Sequence, residues 1–152
     1  MRLGPALFGL ILGAIISLQS GAAVATHEDK KVHHLIIQVT QNDPAVMGLA
    51  LSNAVNLTRH YGEIGEEVEI EFVAYGPGLH MLRDDTSPVK ARLKSIAESL
   101  TSVVFTACGL TIMTMEKLEG KSVPIVPQAK IVKTGVARVI ELQEQGWSYV
   151  RP

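Results

Sequence analysis

The most reactive side chain in this sequence is its single cysteine, Cys108. It lies in residues 102–115 (SVVFTACGLTIMTM), where a run of β-forming residues gives way to a helical pattern. A thiol at the start of a helix meets unpaired backbone N–H groups and the positive end of the helix dipole. Both favour the thiolate, which is the nucleophilic form of cysteine. The position predicts a catalytic role for Cys108, although a free cysteine can also serve as a small buried apolar residue.

Four further residues are predicted to shape a pocket around this thiol. Gly76 and Gly78 flank a proline after the second predicted strand, where their backbone could line a pocket or bind an anion. The same GPG sequence is typical of an ordinary turn. His80 in the same loop could approach Cys108 as a base, or it could simply lie on the surface. Gly109 would let another backbone or a ligand come close to the thiol.

The sequence argues against several other kinds of site. One cysteine excludes an internal disulfide and a cysteine-based structural zinc site. The chain has no phosphate-binding loop motif, and no G-x-G-x-x-G motif follows its first predicted strand. We therefore expect no cofactor and no bound metal. Cu(I) binding by the thiol with His80, or with Met81, Met113 or Met115, is an alternative, because thioether and thiolate ligands suit Cu(I).

Composition sets the size of the fold and argues against nucleic acid as a partner. The 152 residues carry a formal net charge of -1, and 47% of them are hydrophobic, which suits one compact domain. The charge is too balanced for a nucleic-acid surface. An aromatic content of 5% leaves little for stacking bases.

The N-terminal residues are predicted to form a signal peptide. Arg2 precedes an apolar run over about residues 6–18, and residues 23–25 (AVA) fit a signal-peptidase site. Cleavage after Ala25 leaves one domain, residues 26–152, in the periplasm, with no stable membrane insertion. The alternative is a retained anchor, because the uncharged residues 3–25 are just long enough to span a bilayer. A lone thiol in an exported protein is buried, joined to another molecule, or kept for reactivity.

The rest of the chain alternates short apolar runs with helical patterns. Strands are predicted at residues 32–41, 66–76, 102–108, 130–133 and 147–151. Helices are predicted at residues 42–62, 87–100, 110–120 and 136–146, and the first has an apolar stripe at Val46, Leu49, Ala50, Leu57 and Tyr61. This order predicts an α/β fold, a mostly parallel five-stranded sheet with helices on both faces. Sites in such sheets lie at the carboxyl ends of the strands, which is where Cys108 is predicted to be.

Three segments resemble the DsrE/DsrF-like family, and most closely its exported, single-domain branch. They are VAYGPGLHML (73–82), VVFTACG (103–109) and VKTGVARVIELQEQGWSYVRP (132–152). The resemblance covers essentially all of the mature chain. It implies a small parallel α/β domain that assembles as a homo-oligomer, a trimer or hexamer.

The resemblance also implies a function for the thiol. In characterised cytoplasmic members a cysteine carries sulfur as a persulfide and passes it to a partner protein. That cysteine aligns with Phe105 here, while Cys108 matches a second cysteine position found in the exported branch. The branch often has a polar residue where Leu110 stands. The implied function is a periplasmic persulfide carrier or sulfurtransferase-type relay, whose partner is a sulfur donor or acceptor protein or a small thiol. A non-catalytic oligomeric binding module with Cys108 buried is the alternative.

Overall fold

The sheet has five strands, and every neighbouring pair is parallel. The computed structural model describes residues 30–152, so the predicted signal peptide lies outside it. The strands are β1 (Val32–Val39), β2 (Glu67–Ala74), β3 (Val103–Cys108), β4 (Ala129–Val132) and β5 (Ser148–Val150). Their order across the sheet is β4-β3-β2-β1-β5. The predicted α/β fold with a parallel five-stranded sheet is confirmed.

Helices connect these strands. They are α1 (Pro44–Glu63), a 3-10 helix (Gly76–Leu82), α2 (Lys90–Ser99), α3 (Gly109–Glu119) and α4 (Gly135–Glu144). The 3-10 helix occupies the loop after β2 that contains the GPG sequence. Within residues 30–152, none of the helices combines the length and hydropathy that crossing a bilayer would require.

The strand order explains why the helices cover both faces. From β1 to β4 the chain steps across the sheet in one direction, and right-handed crossovers then keep the connecting helices on one face. The connection from β4 returns across the whole sheet to β5, so α4 lies on the opposite face. The first face carries the larger core, which includes Ile37, Phe72 and Leu93. The second carries a smaller core of Ile36, Val73, Val139 and Leu142.

Helix α1 shows a local departure from the predicted stripe. Asp43 caps the helix, because its Oδ1 accepts hydrogen bonds from the N–H groups of Ala45 (2.8 Å) and Val46 (3.4 Å). The buried side chains, however, are Met47, Ala50, Leu51 and Ala54, and the predicted Leu49 is exposed. The small side chains of Ala50 and Ala54 let the helix approach the sheet closely, and this selects the buried face.

Two helix N-termini meet at the carboxyl edge of the sheet. α3 begins at the residue after the end of β3, and α4 begins three residues after the end of β4. Because β3 and β4 are neighbours, both helices start side by side at the same edge. The last residue of β3 is Cys108, so the fold brings the thiol to both N-termini.

Candidate active site around Cys108

Cys108 lies at the junction of β3 and α3, and its side chain points to the α4 face of the sheet. The residue is only 5% exposed, and it occupies the N-cap position of α3. Backbone N–H groups of Leu110 and Thr111, in the first turn of α3, and of Gly135, at the start of α4, lie close enough to the thiol to lower its pKa. The thiol is therefore surrounded by donors from two helix N-termini.

These donors decide the ionisation of the thiol. Burial is the largest single influence and raises the pKa of Cys108. The Thr111 hydroxyl and the N–H groups of Gly135, Thr111 and Leu110 act in the opposite direction and together outweigh it. The pKa of Cys108 is lowered as a result, and the thiolate is more populated than in a free cysteine.

The Thr111 hydroxyl links the GPG loop to the thiol. The N–H of Gly76 donates to Thr111 Oγ1 at 3.0 Å. Because the oxygen already accepts this bond, its own proton is free to be donated to the Cys108 sulfur. Gly76 has φ +53, in the region that glycine adopts without steric cost. The GPG sequence is thus both a turn and a support for the thiol.

Gly135 packs against Cys108 more closely than any larger residue could. A Cβ at this position would lie 3.0 Å from Cδ1 of Tyr75 and 3.2 Å from Cβ of Cys108. The missing side chain lets the first turn of α4 approach the sulfur. The sequence pattern did not single out Gly135 or Thr111, although Gly135 is the first residue of α4 as Gly109 is of α3.

The other predicted pocket residues have different surroundings. A Cβ on Gly78 would lie 2.2 Å from the Val39 carbonyl oxygen, so the 3-10 helix packs directly on the end of β1. A Cβ on Gly109 would lie 3.1 Å from the Val132 carbonyl oxygen, at the end of β4. His80 Nδ1 lies 3.1 Å from Thr86 Oγ1. A role for His80 as a base stays a prediction.

A row of polar side chains continues from Cys108 across the sheet. Tyr75 follows β2, and its hydroxyl accepts a hydrogen bond from Gln38 Nε2 on β1. The Tyr149 hydroxyl on β5 donates to Gln38 Oε1. Burial, followed by the neighbouring Tyr149, raises the pKa of Tyr75. Tyr75 therefore stays protonated at neutral pH, and it places an uncharged side chain beside the thiol.

A buried ionic cluster lies on the same face, closer to the middle of the strands. Glu71 on β2 is 2% exposed. It accepts hydrogen bonds from Thr106 Oγ1 (2.7 Å), Lys130 Nζ (3.1 Å), and Arg138 Nε (2.9 Å) and Nη2 (2.8 Å). Burial alone raises the pKa of Glu71, but the bonds from Arg138, Thr106 and Lys130 lower it overall. The carboxylate is therefore ionised. Its place in an alternating strand was the only sign of Glu71 in the sequence pattern.

The position that the family resemblance assigns to sulfur relay is part of the core in this protein. Phe105 is buried in the larger core and stacks on Phe72, with ring centroids 4.8 Å apart. It points to the face opposite Cys108, because it is an odd number of residues away along β3. Leu110 is exposed, and with Met113 and Ile131 it lines an apolar groove along the outer edge of the sheet.

The methionines are not gathered around the thiol. Met81 is fully buried in the larger core, on the other side of the sheet from Cys108, while Met113 is exposed. In the part of the chain that the structure describes, no three His, Cys, Asp or Glu residues form a group that could hold a metal ion.

Comparison with known proteins supports the fold. No protein-family model and no curated protein matches the chain. A solved structure does match, that of a protein of unknown function, MTH1491, from Methanobacterium thermoautotrophicum. The two are 27% identical with a TM-score of 0.67, and the match covers 79% of this chain and 99% of that one. The chain shares its fold with this protein.

Proposed function

We propose that this protein carries sulfane sulfur as a persulfide on Cys108 and belongs to the exported branch of the DsrE/DsrF-like family. The observation that supports the proposal most is the convergence of the α3 and α4 N-termini on one buried thiol whose pKa is lowered. Such a site favours a sulfur anion, whether thiolate or persulfide.

The chemistry needs only a nucleophilic sulfur and a donor persulfide, R–S–S⁻. The Cys108 thiolate attacks the terminal sulfur of the donor. A new S–S bond forms at Cys108, the donor S–S bond breaks, and R–S⁻ leaves with the bonding electron pair and takes up a proton. The terminal sulfur is passed on without net oxidation or reduction. An acceptor thiolate then attacks the Cys108 persulfide in the same way, and Cys108 leaves as a thiolate, which its lowered pKa favours.

The surroundings of Cys108 suit the product as well as the nucleophile. At 5% exposure the sulfur is shielded from water and from stray thiols. The donors that face it are N–H groups and one hydroxyl, which can stabilise a persulfide anion without a metal. Gly135 lets the start of α4 pack directly against Cys108, and Gly109 lets the start of α3 pack against the end of β4.

Intact mass spectrometry after incubation with inorganic polysulfide tests this function. We expect an adduct of about 32 Da, one sulfur atom, on the wild type and none on Cys108→Ser. An adduct that then disappears on addition of a small thiol would show that the sulfur can be transferred. Absence of the adduct on the wild type, or an equal adduct on Cys108→Ser, would exclude persulfide carriage by Cys108.

The low exposure of Cys108 also favours a second candidate, a non-catalytic oligomeric binding module. In that case the native thiol resists small labelling reagents and reacts only after denaturation. Rapid labelling of the native protein would argue against it. Sedimentation would at the same time show whether the chain forms the expected trimer or hexamer.

Export is proposed from residues 1–25 alone. The exported protein is expected to begin at Thr26, which N-terminal sequencing of periplasmic material would show. A retained anchor would instead leave the intact N-terminus in the membrane fraction.

A further inference from the structure

We infer that the buried Glu71–Arg138 pair is a positioning device that holds the N-terminus of α4 against the Cys108 sulfur. This inference rests on the proposed function, because it concerns how the thiol is kept reactive. Neither residue is expected to touch the transferred sulfur. They act through the backbone of α4.

Glu71 contacts three segments around the thiol site: the cysteine strand β3, its neighbour β4 and helix α4. Thr106, which donates to its carboxylate at 2.7 Å, lies two residues before Cys108 on β3. Lys130, at 3.1 Å, lies on β4, which leads into α4. Arg138 lies in the first turn of α4 and binds both carboxylate oxygens. One buried carboxylate on the central strand therefore fixes the cysteine strand, the strand beside it and the helix above them.

Arg138 connects the Glu71 carboxylate to the part of α4 that faces the thiol. It lies three residues after Gly135, which is just under one helical turn, and its own N–H donates to the Thr134 carbonyl oxygen at 3.1 Å. The guanidinium group binds the carboxylate through two hydrogen bonds, so it restricts both the rotation of α4 and its distance from the sheet. Gly135 has no side chain of its own to lock this contact.

A purely electrostatic effect of Glu71 and Arg138 on the thiol predicts a different result from positioning, so experiment can distinguish the two explanations. The charged groups nearest the pair are Lys130 on β4 and Glu141 on α4, while the first turn of α3 carries none. Farther along the same face are the His34–Glu69 pair and Arg151, which acts on Tyr75. Tyr75 is the titratable neighbour. If only charge mattered, Glu71→Gln would remove a negative charge and make the thiolate easier to form. Arg138→Lys, which keeps the charge, would change nothing.

Positioning predicts that both variants shift the titration of the thiol in the same direction. Arg138→Lys replaces the two-point contact with the carboxylate by a single one, and Glu71→Gln removes the charge that binds Arg138. In both variants α4 is held less firmly, so we expect the Gly135 N–H to move away from the sulfur. The thiol should then titrate at a higher pH, with about two- to tenfold less thiolate at neutral pH, the range that one lost hydrogen bond represents. Arg138→Lys should remain folded, because the Arg138 side chain is 25% exposed and a lysine ammonium there can stay hydrated.

The measurement is the ultraviolet absorbance of the thiolate between about pH 5 and pH 9, corrected with the Cys108→Ser protein. Arg92→Lys is the matched control, because Arg92 ties α2 to Gly48 and Ser52 of α1, away from the thiol. Its titration should coincide with that of the wild type. A wild-type titration in Arg138→Lys, or a titration at lower pH in Glu71→Gln, would overturn the inference.

This experiment uses no sulfur donor, so its outcome is independent of the proposed function. If the wild type forms a persulfide but the variants titrate normally, only the positioning inference fails. If the variants shift but the wild type forms no persulfide, only the carrier function fails.

Discussion

The backbone N–H of Gly135, the first residue of α4, faces the sulfur of Cys108, the last residue of β3. The two residues are far apart in sequence, and they meet because β3 and β4 are neighbours whose following helices start at the same edge. This contact and the first turn of α3 together lower the pKa of the thiol against the effect of its burial.

The ionisation of Cys108 should appear both in reactivity and in stability. The folded pKa is lowered, so the unfolded chain, with a thiol pKa of about 8.5, binds more protons in the window between the two values. The free energy of unfolding of the wild type, relative to Cys108→Ser, should therefore increase as pH rises through that window and reach a plateau above it. Urea unfolding of both proteins at a series of pH values measures this difference. A difference that falls with rising pH would contradict a stabilised thiolate.

Gly135→Ala should disturb the thiol site by steric overlap. The added Cβ would lie 3.0 Å from the Tyr75 ring and 3.2 Å from Cys108 Cβ, so the start of α4 must move away. We expect the free energy of unfolding to fall by about 1–3 kcal/mol and the thiol to titrate at a higher pH. The checks are denaturant unfolding and thiolate absorbance.

Gly48→Ala is the matched control for that substitution. Gly48 lies within α1, and the nearest heavy atom to its Cβ would be Arg92 Nη1 at 3.9 Å. The free energy of unfolding of this variant should rise by about 0.5–1 kcal/mol, because alanine has the higher helix propensity. The titration of the thiol should not change. Equal effects in the two variants would mean that the Gly135 contact has no special role.

Thr111→Val should slow the reaction of the thiol without removing it. The substitution keeps the shape of the side chain but deletes the hydroxyl that lies between the Gly76 N–H and the Cys108 sulfur. Alkylation by iodoacetamide below the thiol pKa should slow by about two- to tenfold, as expected for one lost hydrogen bond. Thr111→Ser keeps the hydroxyl and should react at nearly the wild-type rate. Identical rates for the valine and serine variants would rule out a role for the hydroxyl.

A second ionic cluster, formed around the buried Arg83, predicts a loss of stability in acid. Arg83 is 2% exposed, and it binds Asp85 through Nε (2.9 Å) and Nη2 (2.8 Å) and also pairs with Glu119. The hydrogen bonds from Arg83 lower the pKa of Asp85 to about 2. Because the folded pKa is lowered, this contribution is complete above about pH 4 and is lost as pH falls through about 2.

Urea unfolding between about pH 5 and pH 2 measures this effect. At about pH 5, Asp85→Asn should have a lower free energy of unfolding than the wild type. The difference between the two free energies should become smaller as pH falls. Asp84→Asn is the control for the loss of a carboxylate next to the cluster, because Asp84 forms an exposed pair with Lys90 and does not bind Arg83. A constant difference between Asp85→Asn and the wild type over this range would contradict the assignment.

The sequence alone determined the class of fold and the place of the thiol. Alternating apolar runs and amphipathic segments require a covered parallel sheet, because each pattern has the period of its element. Chain order then put Cys108 where a strand gives way to a helix, at the edge where such sheets carry their sites. These features depend on local periodicity, which one chain displays directly.

Only the tertiary structure decided what surrounds the thiol. The donors at Gly135 and Thr111 and the buried Glu71 cluster depend on which strands are neighbours and which face each side chain takes. A glutamate in an alternating strand looks solvent-facing until α4 crosses back over the sheet and covers it. Long-range contacts of this kind leave no local period in the sequence. The partners of Glu71 come from β3, β4 and α4, and those of Cys108 from α4 as well as from the adjoining α3.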